Sequence, residues 1–304
     1  MYDIIIVGGG PAGLTAALYG LRAGKSVLVI EKNGFGGQIA NSPKVENIPG
    51  TKQISGTEFA DRLLDQVLAL DADTELETVA GLSESGGVWT VSTEEGGEYQ
   101  GRTVILATGV KHRMLGLEGE PELIGSGISF CAVCDGAFYK DMDVAIVGGG
   151  NSALQEAILL ADTCRRVTVI QNLPDFTGEK KLVEVLTTKS NVEVLFNTVI
   201  TAYNSANGEL TGVKLHNDAT GADSELSLSG VFLAVGLLPD NEAFSSLAEL
   251  DERGYFASGE DCLTKTGGIF VAGDCRRKSV RQVTTAAADG AAAALAACAY
   301  MDGR

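Results

Sequence analysis

Asp3-Ile4-Ile5-Ile6-Val7-Gly8-Gly9-Gly10-Pro11-Ala12-Gly13 is the stretch that decides the fold. Its apolar run is too short for a helix and stops on glycine, so residues 3 to 7 are expected to form a strand buried on both faces. Glycines 8, 10 and 13 make a G-x-G-x-x-G pattern. The first permits a tight turn, the second lets a pyrophosphate approach the backbone, and the third packs the next helix onto the strand. Outward from this turn, a helix is expected from about Ala12 to Ala23, then a second strand over Ser26-Val27-Leu28-Val29-Ile30 closed by Glu31. This is a βαβ unit that binds a dinucleotide: the helix N-terminus, with Pro11 and Ala12 in its first turn, attracts phosphate, and Glu31 can hydrogen-bond an adenosine ribose.

The arrangement recurs about 140 residues later. Val144-Ala145-Ile146-Val147 leads into Gly148-Gly149-Gly150-Asn151-Ser152-Ala153, a helix is expected through about Asp162, and Val167-Thr168-Val169-Ile170 follows. Gly148, Gly150 and Ala153 carry the same mechanics. Two such folds suggest one tightly held flavin and one exchangeable nicotinamide, because a flavin needs an electron source. Between them lie an amphipathic helix near Glu58 to Leu70, short alternating segments from Thr74 to Tyr99, and a strand Thr103-Val104-Ile105-Leu106-Ala107 closed by Thr108-Gly109. Strands at 231–235 and 269–272 stop on Gly236 and Gly273 in the same way, and an alanine-rich helix is expected from Thr284 to Ala299.

Three hundred and four residues suit two domains better than one core, and the composition, 45% apolar and 21% charged, is that of a globular protein. The net charge of −17 repels phosphate backbones and anionic lipid, so neither a nucleic-acid nor a membrane role is expected. No apolar run approaches the roughly 20 residues that span a bilayer. The sequence opens directly on the first strand with no basic leader, from which a cytoplasmic location is expected.

Six cysteines are too few for a disulfide scaffold, and Cys131-Ala132-Val133-Cys134 is the one close pair. Two cysteines three apart can be bridged at a helix start, where the dipole favours a thiolate. A zinc site would need a second such pair or nearby histidines, and the chain has only His112 and His216, so no metal is expected. Asp135, directly after the pair, is a candidate proton donor and acceptor or simply a helix cap. Cys164, Cys262, Cys275 and Cys298 read as buried small hydrophobes.

The combination of Gly8-x-Gly10-x-x-Gly13, Cys131-Ala-Val-Cys134-Asp135-Gly136 and Gly273-Asp274 resembles the low-molecular-weight bacterial thioredoxin reductases, essentially from end to end. Supporting stretches are Gly36-Gly37-Gln38, Val45-Glu46-Asn47-Ile48-Pro49-Gly50, Ala107-Thr108-Gly109 and Arg281-Gln282-Val283. The resemblance implies an α/β fold of two Rossmann-like, three-layer ββα nucleotide-binding domains, the second inserted into the first. It assigns residues 1–112 and 240–304 to FAD, and residues 113–239 to a nicotinamide dinucleotide and the cysteine pair. It also implies that Gly37, Gln38, Asn47, Thr108, Gly109, Gly273 and Asp274 surround the flavin, with Arg281, Gln282 and Val283 beside the ring at the start of the alanine-rich helix. Cys134 would then receive the flavin's electrons, Cys131 would attack the disulfide of a thioredoxin-like partner, and Asp135 would handle the proton. Members are usually homodimers whose inserted domain rotates, which implies hinges near His112 and Leu238-Pro239-Asp240.

One place departs from the family pattern. Where NADPH-using members carry a His-Arg-Arg cluster and a further arginine that clamp the 2′-phosphate, this chain has Gln171-Asn172-Leu173-Pro174-Asp175-Phe176-Thr177. No arginine fork is present to hold that phosphate. Arg165 and Arg166 precede the strand, and Lys180 and Lys181 come late. Gln171 could bond a ribose hydroxyl, so NADH is favoured slightly over NADPH. Ferredoxin is the alternative donor and a peroxiredoxin the alternative acceptor. Against the peroxiredoxin, the hydroperoxidase reductases that the stretch resembles carry an added N-terminal thioredoxin-like unit that this sequence does not show.

Overall fold

In the computed structural model, which describes residues 1–42 and 45–303, the chain forms two compact units. The first comprises Met1–Lys44, Ile48–Lys111 and Leu238–Arg304, and the second Val45–Asn47 and His112–Leu237. The first unit begins with β1 (Tyr2–Val7), α1 (Pro11–Arg22) and β2 (Val27–Glu31), and β1 and β2 are parallel, from Ile4 opposite Val27 to Val7 opposite Ile30. α1 starts at Pro11, one residue before the sequence suggested, because proline's fixed φ and missing N–H suit the first helical position. α2 (Gly56–Leu68) also starts early, because the Ser55 hydroxyl accepts the Glu58 N–H at 3.0 Å and caps it.

The alternating segments become β3 (Asp73–Leu76), β4 (Val79–Ser85), β5 (Val88–Thr93) and β6 (Glu98–Leu106). The strand order is β3-β2-β1-β6-β5-β4. β6 starts five residues before the expected Thr103, because its first half pairs antiparallel with β5 while its second half runs parallel to β1. All-apolar β1 is shared between two cores. Ile4 and Ile6 face the helices, and Ile5 and Val7 face Trp89 and Val91 of the meander, so period-two alternation feeds both layers.

The connection β7 (Val110–His112) leads into the second unit, with β8 (Ile128–Ser129), α3 (Ala132–Asp135), β9 (Asp143–Val147), α4 (Asn151–Ala161), β10 (Arg166–Ile170), α5 (Lys180–Thr187) and β11 (Val192–Leu195). An antiparallel meander follows, β12 (Thr198–Ala206), β13 (Glu209–Asn217) and β14 (Ala222–Ser227), then β15 (Gly230–Leu233) and the returning β16 (Leu237–Pro239), which pairs with β7. The main sheet, β11-β10-β9-β15-β8, again has helices packed against Val144 and Ile146 and the meander against Ala145 and Val147. Both units are thus three-layer Rossmann-like folds.

Back in the first unit, β17 (Ile269–Val271) pairs with β6, and α6 (Val283–Met301) packs on α1. The three glycine stops match: Gly109, Gly236 and Gly273 have φ of 67°, 112° and 83°. α6 corrects the expectation about apolar runs, since its 19 residues are long and apolar enough by composition to cross a membrane. Here Ala293, Ala294 and Ala297 are fully buried in the core shared with α1. Gly290 sits where a Cβ would lie 2.1 Å from the Ala12 carbonyl oxygen, so small residues let the two helices touch.

Candidate active site

One turn of helix brings residues i and i+3 to the same side, and α3 uses that turn to join Cys131 and Cys134 in a disulfide with Cα atoms 5.3 Å apart. Cys131 is the extended N-cap, and its Sγ accepts the Cys134 N–H at 3.2 Å. Both cysteines are half-buried, between buried Ala132 and exposed Val133. Ser129, buried on β8, accepts the Cys131 N–H at 3.1 Å and donates its hydroxyl to Asp135 Oδ2 at 2.6 Å. Asp135 Oδ1 is buried and, among the described residues, has no hydrogen-bond partner. Burial raises the Asp135 pKa above the usual carboxylate value, opposed by the Ser129 hydrogen bond. From α4, Glu156 Oε2 accepts the Ala132 N–H at 3.4 Å, and burial pushes this carboxyl up to about 7. Two carboxyls whose pKa burial raises therefore flank the disulfide turn. Asp135 could be picked out in the sequence by its adjacency to the cysteines, whereas Ser129 and Glu156 could not, since neither belongs to the cysteine motif.

In the first unit the glycine turn is built as a dinucleotide cradle. A Cβ on Gly8 would lie 2.2 Å from the Ala107 carbonyl oxygen, and one on Gly13 would lie 1.8 Å from that of Gly8, so neither position admits a side chain. Gly10 and Gly37 face each other with only backbone between them. Glu31 accepts the Gly9 N–H at 2.7 Å and the Asn33 N–H at 3.0 Å, which fixes its carboxylate beside the turn. No acid occupies the first turn of α1, which leaves its positive end open to phosphate. Gln38 lies on the short 3-10 turn Gly37–Asn41, and Asn47 belongs to the small segment grouped with the second unit. The Thr108 hydroxyl donates to Asn241 Oδ1 at 2.8 Å, next to Gly109.

The turn after β17 lies against this cradle, with a Cβ on Gly273 reaching 2.7 Å from the Ala12 Cβ. Gly273 and Asp274 form a 3-10 turn after β17, and Gln282 caps α6 through a capping box with Thr285. Val283 is the first helical residue. Arg281 donates to the carbonyls of Asp274, Lys278 and Arg276 and lies over the Tyr255 ring at 4.2 Å. Lys278 Nζ pairs with Asp274 Oδ1 at 2.9 Å, and among the described residues no hydrogen bond reaches that buried oxygen. A ribityl-type hydroxyl is the donor such an oxygen suits. With the side-chain-free turn, these residues could hold a flavin cofactor.

The second turn repeats the first with changes. Gly148, at φ 130°, passes under the Ala234 carbonyl, and Ala153 replaces the third glycine. Asn151 is tied to Glu179, donating to its carboxylate at 2.9 Å and accepting its N–H at 2.7 Å, and Ser152 is exposed beside it. Gln171 is buried against Gly149 and donates to the Asp175 carbonyl at 3.1 Å, which holds the 171–175 loop closed. Thr177 and Gly178 donate to the Gly149 carbonyl, so the loop lies over the turn. Arg165 and Arg166 pair with Asp143 and Glu193 at the opening end of β10, away from this loop. Cys164, Cys262, Cys275 and Cys298 are buried, and burial raises each thiol's pKa, as expected of inert thiols.

Comparison with known proteins agrees with this geometry. The family model for the pyridine nucleotide-disulphide oxidoreductases matches residues 2–290. The thioredoxin reductase of Bacillus subtilis (strain 168) is 37% identical over 99% of this chain and 95% of its own, and that of Mycolicibacterium smegmatis is 41% identical over 97% and 95%. The crystal structure of thioredoxin reductase from Streptococcus pyogenes MGAS5005 superposes with a TM-score of 0.94 at 36% identity, covering 100% of this chain and 99% of that one. The resemblance read from the glycine turns and the cysteine motif therefore holds along the whole length, and the chain belongs to the pyridine nucleotide-disulphide oxidoreductase family, as an oxidoreductase that acts on a disulfide.

Proposed function

We propose that the protein is a thioredoxin-disulfide reductase that takes its electrons from a reduced nicotinamide, with NADH preferred over NADPH. The observation that carries this reading is the half-buried Cys131–Cys134 disulfide with Asp135 beside it, in the unit that also holds the second glycine turn. Bound FAD supplies a two-electron carrier between the nicotinamide and this disulfide. The first unit would hold it through Gly8, Gly10, Gly13, Glu31 and Asp274, and the second would hold the nicotinamide dinucleotide at Gly148, Gly150 and Ala153.

The chain's own residues then perform the exchange. In the reduced pair Cys131 would serve as the thiolate, since in the disulfide the Cys134 N–H already donates to its sulfur at the N-cap of α3. Its sulfur attacks the partner's disulfide, a bond forms between them, and the partner's S–S bond breaks. Asp135 gives its proton to the departing partner sulfur. Cys134 then attacks the Cys131 sulfur, the bond between Cys131 and the partner breaks, and the Cys134 thiol proton passes to the partner's second sulfur, which re-forms the bridge and frees the partner as a dithiol.

The donor preference rests on the loop after β10. Asn172, Leu173 and Thr177 stand exposed where a 2′-phosphate would need cations, and Arg165 and Arg166 are engaged elsewhere. Anaerobic mixing of the flavin-loaded enzyme with NADH or NADPH, followed by flavin absorbance, tests this. NADH should bleach the flavin faster at equal concentration. Equal or faster bleaching by NADPH overturns the preference, and bleaching by neither, but by reduced ferredoxin, overturns the nicotinamide.

A further inference from the structure

We propose that Ser129 is a positioning residue for the disulfide exchange, fixing which oxygen of Asp135 carries the transferable proton and tying that carboxyl to the backbone of the attacking cysteine. The inference rests on the reading of Asp135 as the acid and extends it.

The hydroxyl of Ser129 makes both links at once, accepting from Cys131 N at 3.1 Å and donating to Asp135 Oδ2 at 2.6 Å. With Oδ2 occupied as an acceptor, the proton resides on Oδ1, the buried oxygen that has no partner among the described residues. Ser129 is itself held rigidly, 4% exposed, on a strand paired with β15 through Phe232. When the partner's sulfur departs it takes the Oδ1 proton, leaving a carboxylate that the Ser129 O–H steadies until solvent reprotonates it. The other titratable groups on elements packed against α3 are Glu156 on α4 and Tyr139 on the following turn. Burial raises both, Tyr139 to about 12 and Glu156 to about 7, so Tyr139 stays neutral across the range and Glu156 adds a negative charge only above about pH 7.

The test is single-turnover oxidation of the dithionite-reduced, flavin-loaded enzyme by oxidised bacterial thioredoxin, measured against pH. The rate should fall on the alkaline side as Asp135 loses its proton. Ser129→Ala removes a hydrogen bond that favours the carboxylate, so this limb should move up by about one pH unit while the maximal rate falls about tenfold. Ser129→Thr should restore both. An unmoved limb in Ser129→Ala, with Asp135→Asn abolishing it, overturns this inference alone, as does a threonine variant no better than alanine. A limb that survives Asp135→Asn overturns the role of Asp135 and the inference with it.

Discussion

Arg276 and Asp289 meet as a buried two-pronged pair, Nε to Oδ2 at 2.8 Å and Nη2 to Oδ1 at 2.6 Å, with side chains 7% exposed. Asp289 also accepts the Gly273 N–H at 3.1 Å and lies 3.2 Å from Lys278 Nζ, so one carboxylate inside α6 anchors the turn that carries Asp274. Removing it would leave the buried Arg276 guanidinium without its main partner and the buried Lys278 ammonium with Asp274 alone. Asp289→Ala should destabilise the protein by about 3 kcal/mol and weaken FAD retention, as measured by urea unfolding and by flavin release on dilution. An unchanged unfolding midpoint would show that the cluster does not hold the turn.

That pair illustrates what was not legible in the sequence. The βαβ units, both glycine turns and the cysteine pair could be read, because each is local and built on a fixed spacing. Arg276 and Asp289 are thirteen residues apart across a turn and a helix start, and no periodicity links them. Ser129 and Asp135 meet only because a strand end and a single helical turn fold back on each other. The meander strands carry a weaker signal, since β4 is largely exposed with no regular alternation, and β5, though it alternates, buries Thr93 alongside Trp89 and Val91. α6 was placed correctly, but its alanines hid how apolar a 19-residue helix can be.

The donor loop gives a second prediction. Asn172→Arg combined with Leu173→Arg places two guanidinium groups on the exposed loop after β10, where Gln171 and Asp175 already fix the backbone. The KM for NADPH should fall roughly tenfold with little change for NADH, measured by steady-state thioredoxin reduction. No gain for NADPH would place the ribose phosphate elsewhere.

The pH dependence of stability offers a third. Glu156 is raised in the fold from its ordinary 4.5 to about 7, so the folded state binds its proton more tightly than the unfolded chain does. Its contribution is fully present below pH 4.5 and is lost as pH rises through about 7. Asp135, also raised by burial, acts with the same sign. Glu156→Gln keeps an acceptor for the Ala132 N–H but cannot ionise. It should match the parent near pH 4.5 and exceed it by roughly 2 kcal/mol at pH 8, measured by chemical denaturation at both values. Parallel curves for the two proteins would contradict a raised Glu156.

The central claim is that Cys131 and Cys134 carry the electrons, and Cys134→Ser tests it most directly. The variant, isolated with its flavin and supplied with reduced nicotinamide, is assayed for reduction of oxidised thioredoxin. The predicted result is loss of thioredoxin reduction with FAD content unchanged, because the glycine cradle and Asp274 lie in the other unit. Normal thioredoxin turnover by Cys134→Ser would contradict the account.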